Sequence, residues 1–144
     1  MLVLYDGNCG FCKVTLAVLM RWDRAQRLDA TPIQSTVGQG LLAELPAEDR
    51  LKSWHLIDDA GELHSGGPAL SIVFAVLPRG GGFARVMSRF PNATARTYGW
   101  VAAHRVLLGR PLGARPRAWS ARVIAERESD HGDPNPCVHP PQRR

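Results

Sequence analysis

The opening residues, MLVLYDGNCGFCKVTLAVLMRW, constrain the fold more than any other part of the chain. Leu2 to Tyr5 is a short apolar run closed by Asp6-Gly7-Asn8, which reads as a buried strand ending in a turn. Over residues 10–24 the pattern becomes helical. Val14, Leu16, Ala17, Val18, Leu19, Met20 and Trp22 cover more than one helical face, as in a buried helix, and polar Arg21, Asp23 and Arg24 mark its exit. Two cysteines, Cys9 and Cys12, stand where strand becomes helix.

The rest of the chain extends that start. Residues 28–34 alternate as a second strand, and Pro32 gives it an edge position or an early end. Residues 35–45 form a weak helix, with Gly38 and Gly40 against it. Residues 53–58 and 62–65 are strands joined by Asp59-Ala60-Gly61, which makes a hairpin. Pro68 opens a helix over 69–77 from the favoured first-turn position, and Pro78 with Gly80-Gly81-Gly82 ends it. Helices follow at about 83–90, 94–108 and 117–128, punctuated by Pro91, Gly109-Arg110-Pro111 and Pro116. Residues 129–144, rich in Pro and charge, read as a disordered tail. A β-α-β unit, a weak helix, an antiparallel hairpin and a helix make the α/β plan of the thioredoxin-like fold. The expectation is one domain over 1–128, with a helical extension from about 79.

A chain of 144 residues is long enough for one domain with a real core. The short LVLY run lacks the length and basic lead of a secretory signal. No segment approaches the roughly 20 apolar residues of a membrane span. The expected location is therefore the cytoplasm. In a reducing compartment, three cysteines with two in a Cys-x-x-Cys pair suit catalysis or metal binding better than structural stapling. Charge is divided unevenly. Residues 1–78 carry a net −3 and residues 79–144, with twelve Arg and no Lys, a net +8, which together give the formal +5. The arginines are scattered and form no run of like charge, so the basic half reads as a solvated face, with no nucleic-acid partner.

Cys9 falls at the N-cap or first turn of the first helix, where unpaired N–H groups and the positive end of the helix dipole favour a thiolate. Cys12 lies on the same face one turn deeper, within reach of Cys9 and less exposed. This divides the labour. Cys9 attacks a substrate disulfide and Cys12 resolves the mixed disulfide. Between them Gly10 lets a partner chain approach and Phe11 offers an apolar docking surface. Asp6 has two readings, a proton acceptor for Cys12 and an Asx-turn closing the strand. Two inert core cysteines are an alternative for the pair. Zinc is another: Cys9 and Cys12 give two of four ligands, and Cys137 with His139 are the remaining candidates.

Asp6-Gly7-Asn8-Cys9-Gly10-Phe11-Cys12, preceded by Leu2-Val3-Leu4-Tyr5, resembles the signature of the DCC family of thiol-disulfide oxidoreductases. The likeness continues in Pro32-Ile33-Gln34-Ser35, in His55-Leu56-Ile57-Asp58 with Gly61 and Gly66, and in the stretch YGWVAAHR at 98–105. It spans roughly residues 2–110. The resemblance implies a thioredoxin-like fold and a dithiol activity using Cys9 and Cys12. It implies no bound cofactor, and a protein or small-molecule thiol or disulfide as partner. Two features depart from pattern. Leu51-Lys52-Ser53 holds no proline where thioredoxin-fold enzymes usually have a cis-proline. Pro68 stands where the family more often has a polar or acidic residue.

The reading is a thiol-disulfide oxidoreductase; a non-catalytic zinc-binding or redox-sensing module is the alternative. In the extension, Phe83, Val86, Met87 and Phe90 recur at helical spacing with Arg85 and Arg89 between them. Such a helix can lie on an anionic membrane, but packing of its apolar stripe on the sheet is favoured. Arg105 is expected to pair with a carboxylate or a helix end. Cys137 is expected to be dispensable.

Overall fold

A four-stranded sheet in the order β2-β1-β3-β4 forms the centre of the computed structural model, which describes residues 1–130. Strand β1 (Leu2–Tyr5) runs parallel to β2 (Asp29–Pro32) and antiparallel to β3 (His55–Ile57), which pairs antiparallel with β4 (Leu63–Ser65). Helix α1 (Gly10–Trp22) makes the crossover from β1 to β2. Helix α2 (Thr36–Leu41) and the single turn α3 (Ala47–Arg50) lead to the hairpin, and α4 (Gly67–Val76) follows it. Helices α5 (Gly81–Arg89), α6 (Pro91–Gly109) and α7 (Ala114–Asp130) complete the described chain. This mixed α/β architecture is thioredoxin-like, as the order of elements implied. Pro32 does end an edge strand, where its missing N–H costs no ladder bond.

Period-2 alternation in β1 divides the core. Val3 and Tyr5 face the larger cluster with Leu16, Met20, Leu56 and Val73, covered by α1 and α4. Leu4 faces the opposite side with Ile33, Leu42 and Ile57, covered by the α2 region. Leu4 and Leu16 are fully buried, each contributing roughly 1.5–3 kcal/mol of transfer free energy. Ser35 caps α2 by accepting from Gly38 N–H at 3.0 Å. Gly38 looked like a weakness in that helix, yet a Cβ there would overlap the Pro32 carbonyl oxygen and lie 3.0 Å from Ile33 Cα. The helix crosses the end of β2 at backbone contact, which only glycine permits.

The boundaries differ in places. Helix α1 stops at Trp22, because Asp23 turns inward: its Oδ2 accepts Leu28 N–H at 2.8 Å and faces Arg127 Nη1 of α7 at 3.6 Å. The Arg127 guanidinium also donates to the carbonyls of Met20 and Asp23, at 2.7 and 2.9 Å, so α7 is pinned to the end of α1. Pro116 lies inside α7 rather than before it, in the first turn where its missing N–H is harmless. The helix runs to Asp130, past the expected end at 128. The rest of the expected tail, with Cys137 and His139, lies outside the described residues.

The extension covers the core differently from expectation. Helix α7 supplies buried Val123 and Ile124 to the main cluster. Helix α5 packs on α4, and α6 on α1 and α4, each burying little: Ala84 and Gly109 respectively. The apolar stripe of α5 therefore does not pack away on the sheet. Phe83, Val86 and Phe90 remain well exposed, because α4 already occupies the sheet face. Among the described residues no helix is long and apolar enough to cross a membrane.

Candidate active site

Cys9 is the N-cap of α1, in an extended conformation (φ −89°, ψ 109°), and its Sγ accepts the N–H of Cys12 at 3.3 Å. The sequence forces this geometry. Asp6 closes an Asx-turn, with Oδ1 accepting Asn8 N–H at 3.0 Å, and its carbonyl accepts Cys9 N–H at 3.2 Å. The turn aims the chain end of β1 so that the helix starts one residue after Cys9. Both cysteines are free thiols, Cys9 half-buried and Cys12 4% exposed.

Cys12 is the perturbed member of the pair. Burial, followed by the hydrogen bond to Cys9 and the charge of Cys9, pushes its thiol up to about 12. Two groups act in the other direction: the Arg105 guanidinium and the indole N–H of Trp54. Trp54 is the residue immediately after the proline-free Leu51-Lys52-Ser53 stretch. It is clamped in place, its N–H donating to Tyr98 Oη at 2.7 Å and its carbonyl accepting Gly66 N–H at 3.0 Å. Burial raises the Tyr98 hydroxyl above its ordinary value, and Tyr98 feels the charge of Cys12.

Asp6 has partners on both oxygens. Oδ1 also accepts from Gln34 Nε2 at 2.6 Å, and Oδ2 faces Arg105 Nη2 at 3.6 Å, with side chains 14% and 22% exposed. Gln34 in turn accepts Gly7 N–H at 2.9 Å through Oε1, locking the turn to the end of β2. Arg105 pairs with a carboxylate, as expected, and links Asp6 to the surroundings of Cys12. The 98–105 stretch is thereby explained. Tyr98 and Arg105, seven residues apart, share the helix face that looks at the dithiol. Trp100 instead stacks on His104 at 4.6 Å, away from it.

The two residues between the cysteines behave differently from each other. The open side of Gly10 is taken by Arg117 of α7: a Cβ there would lie 3.2 Å from its Nε. The close approach that Gly10 allows is thus made by the chain itself. Phe11 lines a cavity of about 410 Å³ together with Cys12, Trp54, Phe90, Tyr98 and Arg105. Gly109 of α6 meets Phe11, a Cβ there lying 3.5 Å from its Cβ. Pro68 sits exposed at the start of α4.

Sequence reasoning missed Trp54, Tyr98 and Arg117 as neighbours of the pair. Tyr98 and Arg105 share a helical face within a family-like stretch, a usable signal; nothing in the sequence singled out Trp54 or Arg117. Among the described residues no three His, Cys, Asp or Glu side chains gather as a metal site. His55 is a core residue, its ring nitrogens bonded to Ser65 Oγ and the Arg50 carbonyl.

The family model for DCC1-like thiol-disulfide oxidoreductases matches residues 3–111, most of the chain, which therefore belongs to that family. No curated protein and no solved structure matches it.

Proposed function

We propose that this family member exchanges thiols and disulfides in two steps, with Cys9 entering and Cys12 resolving. The observation that carries the reading is the inequality of the pair: Cys9 is a half-buried N-cap accepting the Cys12 N–H, whereas Cys12 is buried and held protonated. Cys9 thiolate attacks one sulfur of a substrate disulfide. The substrate S–S bond breaks, one half leaves as a thiolate, and the other stays bonded to Cys9. Capped in this way, Cys9 has lost its negative charge and with it most of its power to hold the Cys12 proton. Two of the three causes that raise Cys12 weaken together, while Arg105 and Trp54 remain. Cys12 then loses its proton and attacks Cys9 Sγ, releasing the second substrate thiol and leaving a Cys9–Cys12 disulfide. A partner dithiol or two small thiols reduce it again.

We assign the Cys12 proton to Asp6 Oδ2, directly or through a water, since that oxygen has only the looser contact to Arg105. Phe11 supplies apolar docking surface beside the pair, and at Gly10 a substrate meets the Arg117 side chain rather than bare backbone. The substrate is a protein or small-molecule disulfide in a reducing, cytoplasmic setting. Trapping tests the assignment. A Cys12→Ser variant should accumulate mixed disulfides on Cys9, and Cys9→Ser should accumulate none. The reverse pattern would exchange the two roles.

A further inference from the structure

The cavity beside the dithiol has a chemistry that exchange at Cys9 does not use. Its volume of about 410 Å³ falls in the range of small-molecule sites, roughly 300–1,000 Å³. Its walls are almost wholly apolar, built from α1, α4, α5 and α6. Two residues with reactive side chains, Cys12 and Arg105, line it, and Cys9 is not part of its lining. Val86 and Phe90 at the rim are 60% and 58% exposed, so the entrance is apolar as well.

These facts select an occupant. A disulfide substrate must meet Cys9, so a ligand in this chamber meets the other thiol. An apolar side chain of a protein substrate would fill the space but leave the guanidinium unused. An apolar ring bearing an oxygen on which charge develops uses the walls, the thiol and Arg105 together. We propose that the chamber binds a quinone-class electron acceptor, which takes the electrons of the reduced Cys9–Cys12 pair through Cys12. This rests on the dithiol reading above.

The step balances without another oxidant or reductant. Cys12 Sγ adds to the quinone ring, forming a C–S bond, as its proton passes by way of the hydrogen-bonded Cys9 thiolate to a ring oxygen, and Arg105 faces the oxygen that becomes an anion. Cys9 thiolate attacks Cys12 Sγ; the S–S bond forms, the C–S bond breaks, and its electron pair stays with the ring. The Cys12 proton and one proton from solvent end on the ring oxygens. Dithiol and quinone become disulfide and hydroquinone.

The test is anaerobic oxidation of the reduced full chain by a benzoquinone carrying an alkyl tail, followed by quinone absorbance, with glutathione disulfide as a second oxidant in parallel. The expected result is a rate that saturates with quinone concentration. Thr97→Trp, at an exposed rim position, and Ala102→Trp, on the chamber wall, are each expected to lower quinone oxidation relative to glutathione-disulfide oxidation about tenfold or more, equivalent to the loss of one modest contact set. Thr97→Trp serves if the inner substitution prevents folding. Oxidation by glutathione disulfide with a quinone rate that is linear in concentration, or indifferent to both substitutions, would overturn this inference alone. Loss in the variants of exchange with an apolar-flanked peptide disulfide, with quinone oxidation unaffected, would assign the chamber to protein substrates and overturn it too. Failure of both oxidants would overturn the dithiol reading and this one with it.

Discussion

Arg105→Met removes a charge that acts on Cys12 during thiol-disulfide exchange without itself forming a bond or moving a proton. With the Cys12 thiol pushed up to about 12, only a very small fraction of molecules carries the Cys12 thiolate at neutral pH. Capping of Cys9 relieves much of this, and what then favours the thiolate is Arg105 and the Trp54 N–H. An opposite charge within about 4–6 Å shifts an ionisable group by roughly 1–3 units. At the low end, losing Arg105 raises Cys12 by about one unit, which is about 1.4 kcal/mol and a tenfold smaller thiolate fraction. The assay loads Cys9 with a chromogenic thiol as a mixed disulfide and follows its release by Cys12 in a single turnover across pH. Release in Arg105→Met is expected to slow about tenfold at neutral pH and its pH profile to move toward alkali. Arg105→Lys keeps the charge and should recover most of the rate. An unmoved profile in Arg105→Met, or equal losses in the Met and Lys variants, would refute an electrostatic role for Arg105.

His55 gives the fold a pH limit on the acid side. Burial lowers its pKa from 6.5, so below that value the unfolded chain takes up a proton that the folded chain resists. Stability should be flat above about 6.5 and fall as pH drops toward the lower folded value, checked by urea midpoints across pH; stability that rises on acidification through this window would contradict it. Arg127→Met should cost about 3 kcal/mol, because it strands the fully buried Asp23 carboxylate, and a midpoint shift worth under about 1 kcal/mol would count against the pin between α1 and α7. Gly38→Ala should cost roughly 1–3 kcal/mol through forced separation of α2 from β2, read as a lowered melting temperature; an unchanged melting temperature would show that the crossing is looser than it looks.

The strand-to-helix switch at Cys9 was legible because a period change, a turn and a cap coincide within a few residues. The hairpin and the edge position of β2 were legible for similar reasons, since Gly61 permits the positive-φ turn and Pro32 lacks a ladder donor. What escaped depends on distant packing. Arg117 over Gly10 and Trp54 beside Cys12 join residues far apart in the chain, and no local pattern encodes such meetings. Gly38 was misjudged because helix propensity counts only what glycine lacks, while the crossing with β2 needs that lack. Asp23 was read only as a polar mark of the helix exit because its partner, Arg127, arrives from the far end of the chain. The α5 stripe was assigned to the sheet because residues 2–78 alone offer few helices to cover its faces. Spacing gives a helix an apolar face but does not say whether a place on the sheet is still free.

The same distant pairings give the charge asymmetry a role inside the fold. The N-terminal portion, net −3, holds Asp6 and Asp23, and the basic portion holds Arg105 and Arg127. Asp6 meets Arg105 beside the dithiol, and Asp23 meets Arg127 where α1 ends. Arg127, which read as part of a solvated face, thus completes an ion pair with a carboxylate of the N-terminal portion, as Arg105 was expected to do. Helix α6 also brings Tyr98 against Trp54, and α7 brings Arg117 over Gly10. The helical extension therefore builds one side of the site. A strand-helix switch can supply two cysteines with unequal thiols, but the charge that adjusts the buried one comes from α6.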